Sequence, residues 1–425
     1  MDHMRWDEIC EAYAGILEQE LVPAMGCTEP IAIAYCAAKA REVLGTLPEE
    51  IHVDASGNVI KNVKSVIVPN TGGRKGIKTA AAIGALAGDA GAELEVISHV
   101  PEDLAEELGP YLERTPITVS CSESEYLLNI CVSVRGNGHS ALVQAVNEHT
   151  NIVRIEKDGA ALFSKEAGPV CENPDLALLS VENIVRYADT CDLDRVRPVL
   201  MRQIEYNTAI SEEGLRGDYG ANIGSVLLAC RGNDIKNRAK AMAAAGSDAR
   251  MNGCELPVVI NSGSGNQGIT ASVPVITYAK ELGADEDRLL RALLISNLVT
   301  LHEKSGIGRL SAYCGAVSAG AGAGAGIAYL LGGGLSEISH TIVNALAITS
   351  GIVCDGAKAS CAAKIAAAVD AGLLGYEMFS NGQQFYGGDG LVLKGVENTI
   401  RSFGRLGREG MRETDKEIIR MMTEN

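Results

Sequence analysis

With 425 residues, 46% of them hydrophobic, the chain is long enough for two or three domains and a sizeable core. A net charge of −17 with no local run of Lys and Arg argues against nucleic acid as a partner, and 4% aromatic residues argue against base stacking. The start, MDHMRWDEICEAYAG, has no basic stretch followed by an apolar run, so no secretory signal is expected and the protein reads as cytoplasmic.

In chain order, about Trp6 to Leu44 reads as helical, interrupted by PAMGCTEP. From Ile51, IHVDASGNVI and VKSVIVPN predict short strands and IKTAAAIGALAG a helix. LEVISHV then predicts a strand and PEDLAEELGPYL a helix. YLLNICVSVRGNG, HSALVQAVNEH and TNIVRIEKDG continue as β-like stretches with Gly/Asn turns. SKEAGPVCENPD, with two prolines, marks a boundary. Beyond it, the chain is rich in Ala and Gly and reads as helices through to DKEIIRMM. Leu310 to Ser336 is uncharged and long enough to span a bilayer. Its GAVSAGAGAGAGIAYLLGGG has eight glycines in twenty positions, so a closely packed helix broken by the glycine triplet is expected instead. No repeat of solenoid period is present. The expected class is α+β: a largely α-helical, Ala/Gly-rich domain with an inserted α/β module near the N-terminus. The expected division is 1–47, helices packing on the helical domain; 48–172, the α/β module; and 173–425, the helical domain.

Several motifs carry possible chemistry. In NTGGRKGIKT, counting from Gly72 puts Ile77 where a P-loop needs its second glycine, so a glycine turn opening a helix is the better reading. In NSGSGNQG, Gly263, Gly265 and Gly268 match GxGxxG after the strand-like LPVVI. The β-branched ITASVPVITY with Pro274 follows, and no strand–helix alternation does, which argues against a dinucleotide fold. SGNQG is also similar to the asparagine loop of pyridoxal-phosphate β-eliminating enzymes, with Lys236 and Lys240 upstream as Schiff-base donors. Such a Gly/Ser loop exposes N–H groups that can hold a carboxylate or phosphate; the alternative is a plain interhelical turn. In MGCTEP, Thr28 suits an N-cap, with Glu29 and Pro30 in the first turn. Cys27 then precedes a helix N-terminus, where a lowered thiol pKa is expected and the thiol can be base, nucleophile or ligand. The alternative is a buried structural cysteine.

The chain has twelve cysteines, no CxxC and no zinc-finger spacing, which makes a disulfide framework the weakest explanation. Cys354 and Cys361 bracket CDGAKASC; on an unbroken helix they would lie ~10 Å apart along the axis. A helix starting at Asp355-Gly356 would leave Cys354 on the preceding turn and let both thiols face one site. Cys314, in GRLSAYCGAVSAGAG, has a similar setting at the entry to an Ala/Gly helix. Three thiolates without an obvious fourth suit a cluster with one open iron better than closed zinc; packing cysteines are the alternative.

GCTEP, NTGGRKGI, SGSGNQG, KSGIGRLSAYCG and CDGAKASC, in that order, make the chain resemble the L-cysteine desulfidase family, related to the iron–sulfur L-serine dehydratases. The resemblance implies a [4Fe–4S] cluster held by Cys314, Cys354 and Cys361 in the helical catalytic domain, its fourth iron free for substrate. It implies Cys27 as the base in β-elimination of L-cysteine to sulfide, ammonia and pyruvate. Dehydration of L-serine, a pyridoxal-phosphate eliminase and a non-catalytic cluster-bearing sensor are the competing readings. The tail IIRMMTEN lacks the cluster-reaching cysteine of some relatives, so that feature is not carried over. Thr28, Ser262, Ser264, Asn266 and Gln267 are expected to hold the amino-acid head group. His302 and His340 are alternative bases, and Lys358 either steadies the cluster or is solvated. The expected partners are a small-molecule amino acid and a second copy in a homodimer, with no nucleic acid and no membrane.

Overall fold

The computed structural model describes residues 6–167 and 173–423. Residues 168–172 of the SKEAGPVCENPD boundary, Cys171 among them, lie outside the described residues. The architecture is helix-rich α+β, as expected, with a mixed six-stranded sheet.

Helix α1 (Trp6–Glu20) buries Tyr13, Ile16 and Leu17 at helical spacing, and strand β1 (Pro23–Met25) follows. Helix α2 (Thr28–Leu44) is buried without a break from Thr28 to Ala38, so it has no solvent face over that stretch. The two helices enter different cores. Tyr13, Ile16 and Leu17 join the core of the helical bundle, whereas Ile31, Ile33 and Cys36 join the core under the sheet.

The α/β module continues with β2 (Glu50–Ala55), α3 (Gly57–Val63), α4 (Gly76–Ala87) and α5 (Glu102–Arg114). Strands β3 (Ile117–Cys121), β4 (Asn129–Gly136), β5 (His139–Val146), β6 (Ile152–Lys157) and β7 (Ala160–Ser164) complete it. The sheet order is β3-β2-β4-β5-β6-β7, with β2 and β3 parallel and the other pairs antiparallel. The predicted strand IHVDASGNVI is present as β2 over its first half, while its GNVI lies in α3. Two predicted strands, VKSVIVPN and LEVISHV, are absent. VKSVIVPN contributes only an isolated bridge, Ile67 to Lys75. LEVISHV forms a 3₁₀ turn and bends, because the Asp89 carboxylate accepts from the Gly91 N–H and curls the chain there. Val96 and Ile97 reach the core from those turns.

The helical part comprises α6 (Val181–Thr190), α7 (Leu193–Arg216), α8 (Ile223–Arg231) and α9 (Ile235–Met251), then β8 (Pro257–Val259). Next come α10 (Gly265–Leu282), α11 (Glu286–Ile307), α12 (Gly315–Leu330), α13 (Leu335–Thr349) and α14 (Cys361–Ser380). Helices α15 (Val396–Arg405) and α16 (Arg412–Thr423) finish the chain. The β-branched ITASVPVITY is helical, inside α10, with Pro274 tolerated there. The Ala/Gly run is α12, which ends before the glycine triplet. It packs backbone to backbone on α14: a Cβ on Gly324 would stand 2.8 Å from the Cα of Gly372. That approach sets α12 and α14 side by side, and the beginnings of these helices carry Cys314 and Cys361. No helix among the described residues is long and apolar enough to cross a membrane.

Candidate active site

Four helices start at one cavity of about 110 Å³ between the two cores. Cys27 is the N-cap of α2, Ser264 of α10 and Cys314 of α12, and Cys361 opens α14; all four line it. The antiparallel pairing of β1 with β8 ties the chain before Cys27 to the chain before Asn261. Thr28 is therefore not the N-cap expected of it. As the first helical residue, its hydroxyl donates to the Gly263 carbonyl at 3.1 Å and to Glu29 Oε2 at 3.2 Å, pinning α2 to the Gly/Ser loop. That loop is tight: Ser262 and Gly263 are left-handed (φ 50° and 75°), and Asn261 bridges Ser264.

The three predicted ligand cysteines line the same cavity. An isolated bridge, Tyr313 to Val353, sets the segments of Cys314 and Cys354 side by side, and the Cys354 N–H donates to the Ala312 carbonyl at 2.6 Å. The helix after Cys354 does not start at Asp355-Gly356. Gly356 is left-handed (φ 93°) and Asp355 is held by Lys358 and Lys364, so α14 begins at Cys361. Burial pushes the Cys314 thiol up to about 12, with Cys354 and Cys361 adding to the rise; burial and Cys354 push Cys361 up as well. All three pairs of sulfurs thus feel one another. Lys304 is buried beside them. Burial lowers its ammonium to about 8, while Cys354 and Cys314 favour its charge.

Around Cys27 the chemistry departs from expectation. Its thiol lies well above the ordinary value, because of burial and the neighbouring Glu29 carboxylate, with Arg250 opposing. The Sγ–H donates to Glu29 Oε2 at 3.3 Å. Burial alone would raise Glu29, but His149, whose Nε2 lies 4.0 Å from Oε1, holds it down at about 2. Asn62 also donates to Oε1 at 2.8 Å. The resting pair is therefore a Cys27 thiol and a Glu29 carboxylate.

A family model described as serine dehydratase alpha chain matches residues 91–420. The chain belongs to the serine dehydratase alpha chain family. UPF0597 protein DSY1109 of Desulfitobacterium hafniense is 58% identical over 98% of each chain. UPF0597 proteins of Treponema denticola and of Actinobacillus pleuropneumoniae serotype 3 are 46% and 37% identical, over 97% or more of each chain. Membership makes this a serine dehydratase-like chain, and the family's chemistry is that of a lyase.

Seen as a member of this family, the chain gathers Cys27, Thr28, Ser262, Ser264, Asn266 and Gln267 at the cavity with the three cysteines. Asn266 accepts from Arg250, and Gln267 Oε1 has no partner. Outside it lie His302, bonded to Glu397 at 2.7 Å, and His340, stacked on Phe379. Lys236 and Lys240 pair with Glu377 and Asp370 and do not line the cavity. Lys358 is spent on Asp355 and nearby carbonyls. Lining residues that went unread include Lys61, Asn62, His149, Arg250, Lys304, Arg309 and Lys364. Arg250 and Lys304 carried a signal, a charge on an otherwise buried helix stretch.

The donor set suits an iron–sulfur cluster. It comprises three thiols on one cavity, two at helix starts that favour negative charge, and a buried lysine beside them. Among the described residues, no three His, Cys, Asp or Glu side chains gather tightly enough for a single metal ion. A four-iron cube takes its cysteines at separate corners, so it needs no such tight group.

Proposed function

We propose that the protein is a cluster-dependent lyase that eliminates the β-substituent of a small α-amino acid, converting L-cysteine to sulfide, ammonia and pyruvate. The observation that carries this reading is the meeting of Cys27 with Cys314, Cys354 and Cys361 at one cavity. Cys314, Cys354 and Cys361 would hold a [4Fe–4S] cluster, with the Lys304 ammonium offsetting its charge. When bound, the cluster would supply a Lewis acid at its iron without a protein ligand, for the leaving sulfur or oxygen.

The chain's own residues manage the protons. Arg250 favours the Cys27 thiolate, whereas burial and the ionised Glu29 oppose it, so Cys27 loses its proton to solvent before it acts as base. That thiolate takes the α-proton of an amino acid in the cavity, and the Cβ–S bond breaks as the Cα–Cβ double bond forms. The enamine leaves, and water hydrolyses its imine to pyruvate and ammonia. His149 and Asn62 keep Glu29 ionised and in place. The description of the matched family favours a second reading, L-serine as substrate with water as leaving group.

Anaerobic purification with iron and sulfide analysis, followed by sulfide and pyruvate assays on both amino acids, tests this. Cys314→Ala, Cys354→Ala and Cys361→Ala should each lose iron. Cys27→Ala should keep the iron and lose turnover. An intact cluster with no pyruvate from either amino acid would falsify the reading.

A further inference from the structure

Five cations line the cavity; three have carboxylate partners, and a fourth stands beside the cysteines proposed to hold the cluster. Lys61 pairs with Asp415, Lys364 with Asp355 and Arg309 with Glu20, and Lys304 faces the Cys314 and Cys354 thiols. Arg250, in the last turn of α9, is 2% exposed and has no described carboxylate as partner. Its guanidinium makes one hydrogen bond, Nη1 to the neutral Oδ1 of Asn266 at 3.1 Å, and its Nε has none. A buried charge answered only by an amide is costly unless an anion completes it. The sequence makes room for that arrangement, since a Cβ on Gly265 would lie 2.3 Å from Arg250 Nε. Acceptors stand at the same cavity: the Gln267 Oε1 has no partner, and Glu29 is ionised.

We infer that Arg250 receives the α-carboxylate of a free amino acid and that Gln267 Oε1, with Glu29, takes its α-ammonium. The cavity then selects zwitterions over amides and hydroxy acids. This deepens the lyase reading and rests on it for the identity of the ligand class. A guanidinium can grip a carboxylate through two parallel N–H bonds, which an amide cannot match.

L-alanine is the probe, because it has both head groups and nothing to eliminate. Calorimetric titration under anaerobic conditions, with and without reconstituted cluster, compares L-alanine, L-alaninamide and L-lactate. Wild type should bind L-alanine about 10- to 100-fold more tightly than either analogue. Arg250→Gln should bind L-alanine and L-alaninamide alike, and Arg250→Lys should recover part of the difference. Asn266→Leu, which removes the acceptor that positions the guanidinium but keeps its charge, should weaken L-alanine and leave L-alaninamide unchanged, should the arginine variants not fold. Equal binding of the two by wild type, or wild-type discrimination retained in Arg250→Gln, overturns the inference. Arg250-dependent alanine binding in a protein that releases no pyruvate would sink the lyase reading alone. Normal elimination with discrimination untouched in Arg250→Gln would sink this inference alone.

Discussion

Gly315→Ala separates the folding role of the cavity wall from its binding role. A Cβ at residue 315 would stand 2.6 Å from Gln267 Cδ and 2.8 Å from its Oε1, and residue 315 is not left-handed. Alanine therefore suits the backbone and favours α12 by up to ~1 kcal/mol. The clash must be relieved by the free end of Gln267, at roughly 0.5–1.5 kcal/mol for an off-rotamer side chain. These terms nearly cancel, so urea unfolding should place the variant within about 1 kcal/mol of its parent. Binding has no such compensation. An acceptor withdrawn from an ammonium forfeits roughly 1.5–3 kcal/mol, so KM for the amino acid should rise about 10- to 100-fold with kcat little changed. Steady-state pyruvate release, with iron counted on the same sample, reads this out. An unchanged KM at full iron content would refute the placing of Gln267. Lost iron would show that the alanine disturbs Cys314 instead.

Asp415→Ala should destabilise the protein by ~3–5 kcal/mol in urea, because it strands the buried Lys61 ammonium that α16 neutralises; a loss below about 1 kcal/mol would mean that the ion pair is not buried in solution. Glu29 lies below its ordinary value, so its contribution to stability is complete above about pH 4.5 and fades as pH falls toward about 2. The stability gap between wild type and Glu29→Gln should therefore narrow across that window, and a constant gap in acid-titrated melting curves would contradict it. In cluster-free protein, Cys27 should react with iodoacetamide only at a pH above the ordinary thiol range, and Glu29→Gln should shift its reactivity to lower pH. Peptide mapping reads both rates, and an unshifted profile would show that Glu29 does not raise the thiol.

Helices with long apolar or Ala/Gly patterns were legible because their own residues dictate them, as α4, α5 and α12 show. VKSVIVPN and LEVISHV failed because β-branched residues also serve in buried turns, and pairing partners decide which. The Cys27 environment was misread for a reason of magnitude. A helix start favours thiolate by typically 0.3–1 kcal/mol. A carboxylate ~4 Å away opposes it by roughly 4 kcal/mol at an effective dielectric of about 20, and burial acts in the same sense. Glu29 was read only as a first-turn residue. Its side chain instead turns back to the thiol, at 3.3 Å. Arg250 and His149 could not be placed by spacing, because each reaches the cavity from a different core or loop.

The cysteine loop also depends on the C-terminal helix. The Lys61 carbonyl sits where a Cβ on Gly356 would be, 2.3 Å away, so the turn between Cys354 and Cys361 rests directly on α3. The Lys61 side chain is in turn neutralised by Asp415 on α16, and Gly57 at the start of α3 packs against Ile419 of the same helix. Helix α3 belongs to the α/β module, while Cys354 and Cys361 belong to the helical part. The cavity is thus closed by a three-layer contact in which α16 presses the module onto the cysteine turn. Neither core alone holds Cys27 and Cys361 in register; that is done by the small cluster of Cys27, Val66 and Met251, against which Ala357 and Cys361 pack. A change that loosens α16 should therefore be felt at the thiols before it is felt in either core.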